Sequence, residues 1–421
     1  MTLMKQLLKD VGILIRGSVF AQVIGIFLMP VLSRIYTPED FGAYGLFQAA
    51  MLMISVVACM RYDQAILVAA NETEAFGLFR LCIVLSFVMS LLVLLAIVIV
   101  KLLGLEQPWL GPVSLYWLSP ATFLAGMALA ATSLFTWLGV FRVASNARVV
   151  QSIANGCAAI LVGLISPAAW GLVLADTFGR LVVILVGIKQ LLPSISWRAW
   201  LSDSPALVRR YINFPKVSVA GGLMNNGGYF VTRVALFTLF GAEVNGQFAL
   251  ADRVIALPLG LVVVAVSQVF TSQYSQLLRE DPTTARLYLR STVRYAALIG
   301  LPPLVLGIAI APQVFPLVFG AQWAEAGKFA QLLGVMYYSS IVSGPIQTAL
   351  VVSGHMGLQF FWEFLSLALF VALWLTVGWL KWDAHWALMG FALITTFANF
   401  IYVGLAWFCA NVEQDSGEVS S

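Results

Sequence analysis

Charged residues set inside long apolar runs are the ones in this chain that could do chemistry. Arg16, Arg180, Arg233 and Arg253, with Asp176 and Asp252, each interrupt a hydrophobic stretch of the 421 residues. Such charges are costly in a bilayer and are kept where they face a helix-lined interior or a watery cavity. Asp176 and Arg180 stand four apart, acid N-terminal to base, so on a helix they share a face in the favourable order. They read either as a self-neutralising pair or as members of a polar cavity. Arg16 reads either as a cavity residue or as one snorkelling to the interface. Arg233 has no obvious carboxylate on its own helix and is the strongest candidate ligand for an anion. Asp252 and Arg253 are adjacent, so they project roughly 100° apart on a helix and cannot serve one partner. Asn225 and Asn226 lie among Gly221, Gly222, Gly227 and Gly228. That cluster is a hinge or cavity-lining backbone on one reading, and a close helix-packing surface on the other. Four arginines against two carboxylates make a cationic interior, and the planar guanidinium suits a phosphate.

Nothing in the chain looks like bond-making machinery. There is no Gly-rich phosphate loop with a lysine, no HExxH pattern and no convincing Ser/His/Asp set, so an enzyme is not expected. No cofactor motif is present. His355 and His385 lie far from any cysteine, which gives no metal-ligand spacing. Cys59, Cys82, Cys157 and Cys409 sit in or beside apolar runs and read as packed thiols rather than disulfides. No basic cluster suits a nucleic acid.

The elements that must position these charges are membrane helices. Hydrophobic residues make up 61% of the chain and charged residues 10%, with a mean hydropathy of +0.94, far from the balance of a soluble domain. A window of about 20 apolar residues finds about twelve spans between residues 11 and 410. The pair 149–166 and 169–190 is separated only by the tight turn at Ser166-Pro167. The charged N-terminus is followed by an apolar stretch that reads as a retained first helix, not a signal peptide, because Arg16 interrupts it and no small-residue cleavage site follows. Of the 23 Lys and Arg residues, fifteen fall in loops on the N-terminal side and four, Arg34, Lys101, Lys328 and Lys381, on the other. The positive-inside rule then places both termini in the cytoplasm.

The longest connection divides the spans six and six. The expected organisation is an N-terminal lobe over 1–192, a cytoplasmic linker over 193–213, a C-terminal lobe over 214–410 and an acidic cytoplasmic tail over 411–421. Sliding the halves by 204 residues places Gly17 on Gly221, Gln22 on Asn226, Tyr36 on Phe240, Glu39 on Glu243, Gly42 on Gly246, Tyr44 on Phe248 and Leu46 on Leu250. The match joins the same topological place in both halves, as expected of a parallel repeat about an axis along the membrane normal.

The turn Arg34-Ile35-Tyr36-Thr37-Pro38-Glu39-Asp40-Phe41-Gly42-Ala43-Tyr44 has a local reading. Thr37 caps the second helix, Pro38 takes its first position, and Glu39 and Asp40 meet its positive dipole end. The same stretch resembles a motif of bacterial polysaccharide exporters. Arg61-Tyr62-Asp63-Gln64-Ala65-Ile66 is similar to a second motif of that family, with Asp63 in place of its Glu. The stretches Gly246–Val254 and Gly320–Trp323 resemble two more. On these, the chain resembles the polysaccharide-transporter branch of the multidrug/oligosaccharidyl-lipid/polysaccharide (MOP) exporters, which includes the O-antigen flippases.

The resemblance implies an all-α polytopic fold with two six-helix lobes in a V around a central cavity. It implies a substrate of undecaprenyl-diphosphate-linked oligosaccharide, moved across the bacterial inner membrane during lipopolysaccharide, capsule or exopolysaccharide synthesis. The expected partners are that lipid-linked substrate, the lipid bilayer, and a polysaccharide polymerase with chain-length proteins. Relatives also suggest a proton or sodium counter-ion, with Asp176 or Asp252 titrating. The expected site is Arg16, Arg180, Arg233, Arg253, Asn225 and Asn226 around an anionic headgroup. A multidrug exporter of the same superfamily is the nearest rival, disfavoured by the arginine excess. A membrane polymerase or ligase is a further one, disfavoured by the short outer loops.

Overall fold

In the computed structural model of the chain, residues 2–104, 115–192 and 204–418 are described. Much of the expected linker thus lies outside the described residues, as do the side chains of the acidic tail. Every regular element among them is helical. The long helices are α1 Thr2–Ile35, α2 Pro38–Ala58, α3 Glu72–Leu102, α4 Leu118–Trp137, α5 Phe141–Ile165 and α6 Ala169–Val186. Then comes the stretch Val219–Glu280, followed by Pro282–Phe319, Ala324–Ser343, Met356–Leu380 and Ala384–Glu418. Eleven stretches among the described residues are long and apolar enough to cross a membrane.

The 62-residue stretch Val219–Glu280 would be roughly 90 Å long as one helix, about three times the hydrocarbon thickness. It breaks at Gly241, whose φ of 87° and ψ of 176° fall in a region essentially only glycine occupies. The stretch is therefore two helices, α7 (219–240) and α8 (242–280), and the twelve expected helices are present. The remaining four become α9 to α12.

The prolines act differently from one helix to another. Pro345 does end a helix: α10 stops at Ser343 and gives way to a 3-10 turn, Gly344–Ile346. Pro302, Pro303, Pro312 and Pro316 all stay within α9. Proline removes the hydrogen bond to the carbonyl four residues back. For Pro312 that carbonyl is Ile308, and the side-chain amide of Gln331 donates to it at 3.0 Å, which is how membrane helices tolerate proline.

Thr37 caps α2 as expected, and Asp40 completes a capping box. α1 and α5 pack through small residues. A Cβ on Gly17 would stand 2.0 Å from Ser145 Oγ, Ser152 Oγ donates to the Ala21 carbonyl at 2.7 Å, and the Tyr36 hydroxyl donates to Ala159 at 2.7 Å. Other large apolar side chains face outward: Phe27 is 75% exposed and Trp379 82%, as they can where lipid is the solvent. All four cysteines are free thiols, and only Cys157 is exposed.

By contact the chain falls into two compact units, Met1–Gly246 and Gln247–Ser421. This boundary lies one helix beyond the expected linker, because α7 packs within the first unit. A Cβ on Gly222 of α7 would meet Arg61 Nη2 at 2.3 Å and Val56 Cγ1 at 2.9 Å. The core of the first unit gathers Cys59, Tyr62, Phe79, Cys82 and Phe135. That of the second gathers Phe270, Tyr274, Leu289 and Tyr402.

Candidate functional site

α6 carries the charged pair. Arg180 Nε donates to Asp176 Oδ2 at 2.9 Å, so the four-residue spacing delivers the face-sharing read from the sequence. Asp176 is 8% exposed, while the Arg180 side chain retains 22%. The bond uses Nε and leaves the two terminal amino groups of the guanidinium for other acceptors. α6 lies close on α5: a Cβ on Gly179 would stand 3.3 Å from both the Gln151 carbonyl and Asn155 Cβ.

Those neighbours extend the site. On α5, Arg148 Nη1 donates to Ser18 Oγ of α1 at 2.5 Å. Arg148 reads from the sequence as a loop charge; the structure starts α5 at Phe141 and so places it within a helix. Arg16 is exposed, next to Gly17, which seats Ser145. Gln22, one turn beyond Ser18, has a buried Oε1 with no hydrogen-bond partner among the described residues. A polar seam therefore runs through α1, α5 and α6, where Arg148 bonds Ser18 and Arg180 bonds Asp176, and Arg16 lies exposed just before Ser18 on α1. Sequence reasoning missed Arg148, Gln151 and Asn155. Their period along 141–165 was the available signal, since all three recur on one helical side.

The other expected residues are placed differently. Arg233 is 2% exposed. Its Nη2 donates to the Tyr229 hydroxyl at 2.6 Å, and its Nη1 to the Asn245 carbonyl at 3.3 Å. Asn225 is exposed, and Asn226 Nδ2 donates back to the Gly222 carbonyl at 3.0 Å. Asp252 and Arg253 belong to the second unit. The Tyr337 hydroxyl donates to Asp252 Oδ1 at 2.5 Å, and Arg253 is half-buried. Tyr337 also lines an apolar cavity of about 230 Å³ in that unit, with Ile255, Leu259, Pro303 and Gly334.

The stretch between α2 and α3 is well built. Met60 and Arg61 both take positive φ, 48° and 61°, a conformation that costs non-glycine residues energy. They turn the chain into the short helix Tyr62–Ile66, which buries Asp63 to 7% exposure. Burial pushes the Asp63 carboxyl above the ordinary carboxylate range, and Arg61 with two backbone N–H groups pulls the other way. A carboxyl raised in the folded state adds stability below its unfolded pKa and loses it as pH rises through the folded value. Asp63→Asn is thus expected to raise the melting temperature of the purified protein by a few degrees at pH 7. The gain should vanish below about pH 4, and a melting series over pH checks it. Close by, Tyr211 donates to Glu74 Oε2 at 2.9 Å and Arg210 pairs with Glu74. These bonds tie the end of the connection to the first turn of α3. Among the described residues no group of His, Cys, Asp and Glu could hold a metal ion.

Comparison with known proteins agrees with this fold. A family model described as "Polysaccharide biosynthesis protein" matches residues 31–328. The chain is 23% identical over 328 residues to the succinoglycan biosynthesis transport protein ExoT of Rhizobium meliloti (strain 1021), covering 76% of this chain and 63% of that one. It is 22% identical over 181 residues to the teichuronic acid biosynthesis protein TuaB of Bacillus subtilis (strain 168), covering 41% of this chain and 37% of that one. The chain thus spans less than two thirds of either relative's length. Among solved structures, an inward-facing multidrug-resistance MATE transporter of the MOP superfamily superposes with a TM-score of 0.74 at 16% identity, over 95% of this chain and 96% of that one. With most of its length matched by the family model, the chain belongs to the polysaccharide biosynthesis protein family.

Proposed function

We propose that the protein is a flippase that moves undecaprenyl-diphosphate-linked oligosaccharide from the inner to the outer leaflet of the bacterial inner membrane by alternating access. The observation that carries this reading is the seam on α1, α5 and α6, whose described charged side chains include Arg16, Arg148 and Arg180, with Arg180 bonded to Asp176 through Nε alone. A diphosphate supplies the missing negative charge, and Arg180 has an open guanidinium edge for it. Arg16, Asn225 and Arg253 are the remaining polar contacts for the headgroup and sugars, while the polyprenyl chain stays in lipid. Asp176 and Asp252 are the carboxylates offered to a coupling proton or sodium ion. Arg233 would reach the substrate only after leaving Asn245 and Tyr229. The two six-helix lobes are 1–192 and 214–410, and both termini face the cytoplasm.

A flippase makes no bond, so removing it leaves synthesis on the cytoplasmic face running. Deletion of the gene is expected to collect the finished lipid-linked unit in the inner leaflet, with surface polymer lost and the polyprenyl carrier trapped. Blocking the first sugar transfer should relieve the trapping. The check is extraction of lipid-linked intermediates with assignment of their leaflet. Units at normal levels in the outer leaflet, with polymer still made, would rule the reading out. A polymerase defect would instead leave single units on the surface, and a drug exporter would leave polymer intact.

A further inference from the structure

α2 and α8 cross with their backbones in contact. A Cβ on Gly42 would stand 1.8 Å from the Ala242 carbonyl oxygen, and one on Gly246 would stand 1.7 Å from that of Pro38. α8 brings Ala242 and Gly246, two small residues four apart, and α2 brings Gly42 with the backbone carbonyl of Pro38. That is the small-residue spacing that lets membrane helices approach closely, at a distance where Cα–H groups meet carbonyl oxygens. The two contacts are also one contact seen twice. The 204-residue shift that aligns the halves carries Pro38 onto Ala242 and Gly42 onto Gly246. Applying it exchanges the two pairs, so the axis relating these segments passes through the crossing.

A buried network holds this point. Asn245 is fully buried, and its Nδ2 donates to the Gly42 carbonyl at 2.7 Å. Arg233 Nη1 approaches the Asn245 carbonyl at 3.3 Å and its Oδ1 at 3.5 Å. The guanidinium lies 4.9 Å from the centre of the Tyr229 ring. Asn245 thus bridges α2 to α8, and Arg233 of α7 fixes the bridging amide. Next to it, Gly241 joins α7 to α8 through backbone torsions open to glycine.

We propose that Arg233 and Asn245 are positioning residues, and that the crossing they hold is the fulcrum on which α8 turns against α2 during transport. Segments on a symmetry axis move least when the parts it relates turn together. A crossing whose closest contacts are between backbones, at Gly42 and Gly246, meets few rotamer barriers as its angle changes. The proposal rests on the transport reading only for the existence of a cycle, so its test has a readout that needs no substrate.

The full-length protein, with exposed Cys157 replaced by serine, is spin-labelled at Leu52→Cys on α2 and Val264→Cys on α8 and reconstituted in lipid nanodiscs. Pulsed electron resonance then gives the distance distribution between the labels. The expected result is two populations in the parent protein and collapse to one in Gly42→Ala and in Gly246→Ala. Asn245→Ala, which adds no bulk, keeps the test available if the glycine variants fail to fold, and should shift the ratio of the populations. In proteoliposomes the same variants should bind undecaprenyl diphosphate within about twofold of the parent yet flip it about tenfold more slowly or worse. Gly25→Ala, whose Cβ would meet nothing within 4 Å, should match the parent throughout. Unchanged distributions in the glycine and asparagine variants, or a single population in the parent, overturn the proposal. So does loss of undecaprenyl diphosphate binding in Arg233→Ala alongside unaltered distances, which would make Arg233 a ligand. Two populations that respond as expected, with no flipping by any variant or by the parent, would leave the fulcrum standing and remove the flippase reading.

Discussion

Replacing Arg180 by alanine is expected to slow flipping by roughly 10- to 150-fold, while the protein remains in the membrane at near-normal amounts. The size follows from losing a charge-assisted contact worth about 1.5–3 kcal/mol, at tenfold per 1.4 kcal/mol. Arg180→Lys keeps the charge but loses the planar fork, so it should recover only part of the rate. The alternative is that Arg180 serves only to neutralise Asp176, to which its Nε is bonded at 2.9 Å. In that case the alanine variant strands a carboxylate that is 8% exposed, and the loss should appear as reduced protein, since breaking a buried pair costs about 3–5 kcal/mol. The double variant Asp176→Asn with Arg180→Gln separates the two. It removes both charges and keeps the shapes, so a purely structural pair would return to full transport. Continued inactivity with normal protein amounts is the expected outcome, and recovery would remove Arg180 from the ligand set.

Reporter fusions should give an all-or-none answer on orientation. A periplasm-active enzyme joined after Glu106 or Gln322 is expected to be active, and one joined after Ser204 or Ser421 inactive, with a cytoplasm-active reporter giving the converse. The driving term is the asymmetry of Lys and Arg in the loops and at the span ends, fifteen against four on the sequence reading. Activity of the exported reporter after Ser204 would break the six-plus-six division, since 193–213 is the connection on which it turns.

The two tests probe different depths of what a sequence contains. Hydropathy and charge bias are sums over many residues, so they survive local error. The helix count came through although several boundaries moved, as at Glu72, where α3 begins ahead of its expected span. The Asp176–Arg180 pair was equally legible, because a four-residue spacing on one helix fixes proximity without any tertiary information. The cap at Thr37 was legible for the same reason, since Thr37 and Pro38 are neighbours in sequence, while the bond between the Asp40 side chain and the cap was added by the structure.

Arg233 shows where such reading stops. Along its own helix it has no obvious carboxylate, and the inference to an anionic ligand followed from that. Its partner Asn245 lies twelve residues on, past the break at Gly241, and only a chain that turns there brings the amide back to the guanidinium. Arg148 was misread in the opposite direction: one-dimensional hydropathy put it in a loop, whereas its hydroxyl partner, Ser18, is 130 residues away in sequence.

By itself, then, the sequence determined the class of solvent, the helix count, the repeat register and the local pairs. Each is set by composition, or by spacings of a few residues, within one element. The tertiary structure alone decided which charges remain open to a ligand and which are committed to the scaffold. It also decided that Gly42 and Gly246, known from the repeat only as aligned letters, are points of backbone contact. Those are properties of distances between elements. In a bilayer, where burying a polar group without a partner costs several kcal/mol, they are set by packing that no single helix encodes.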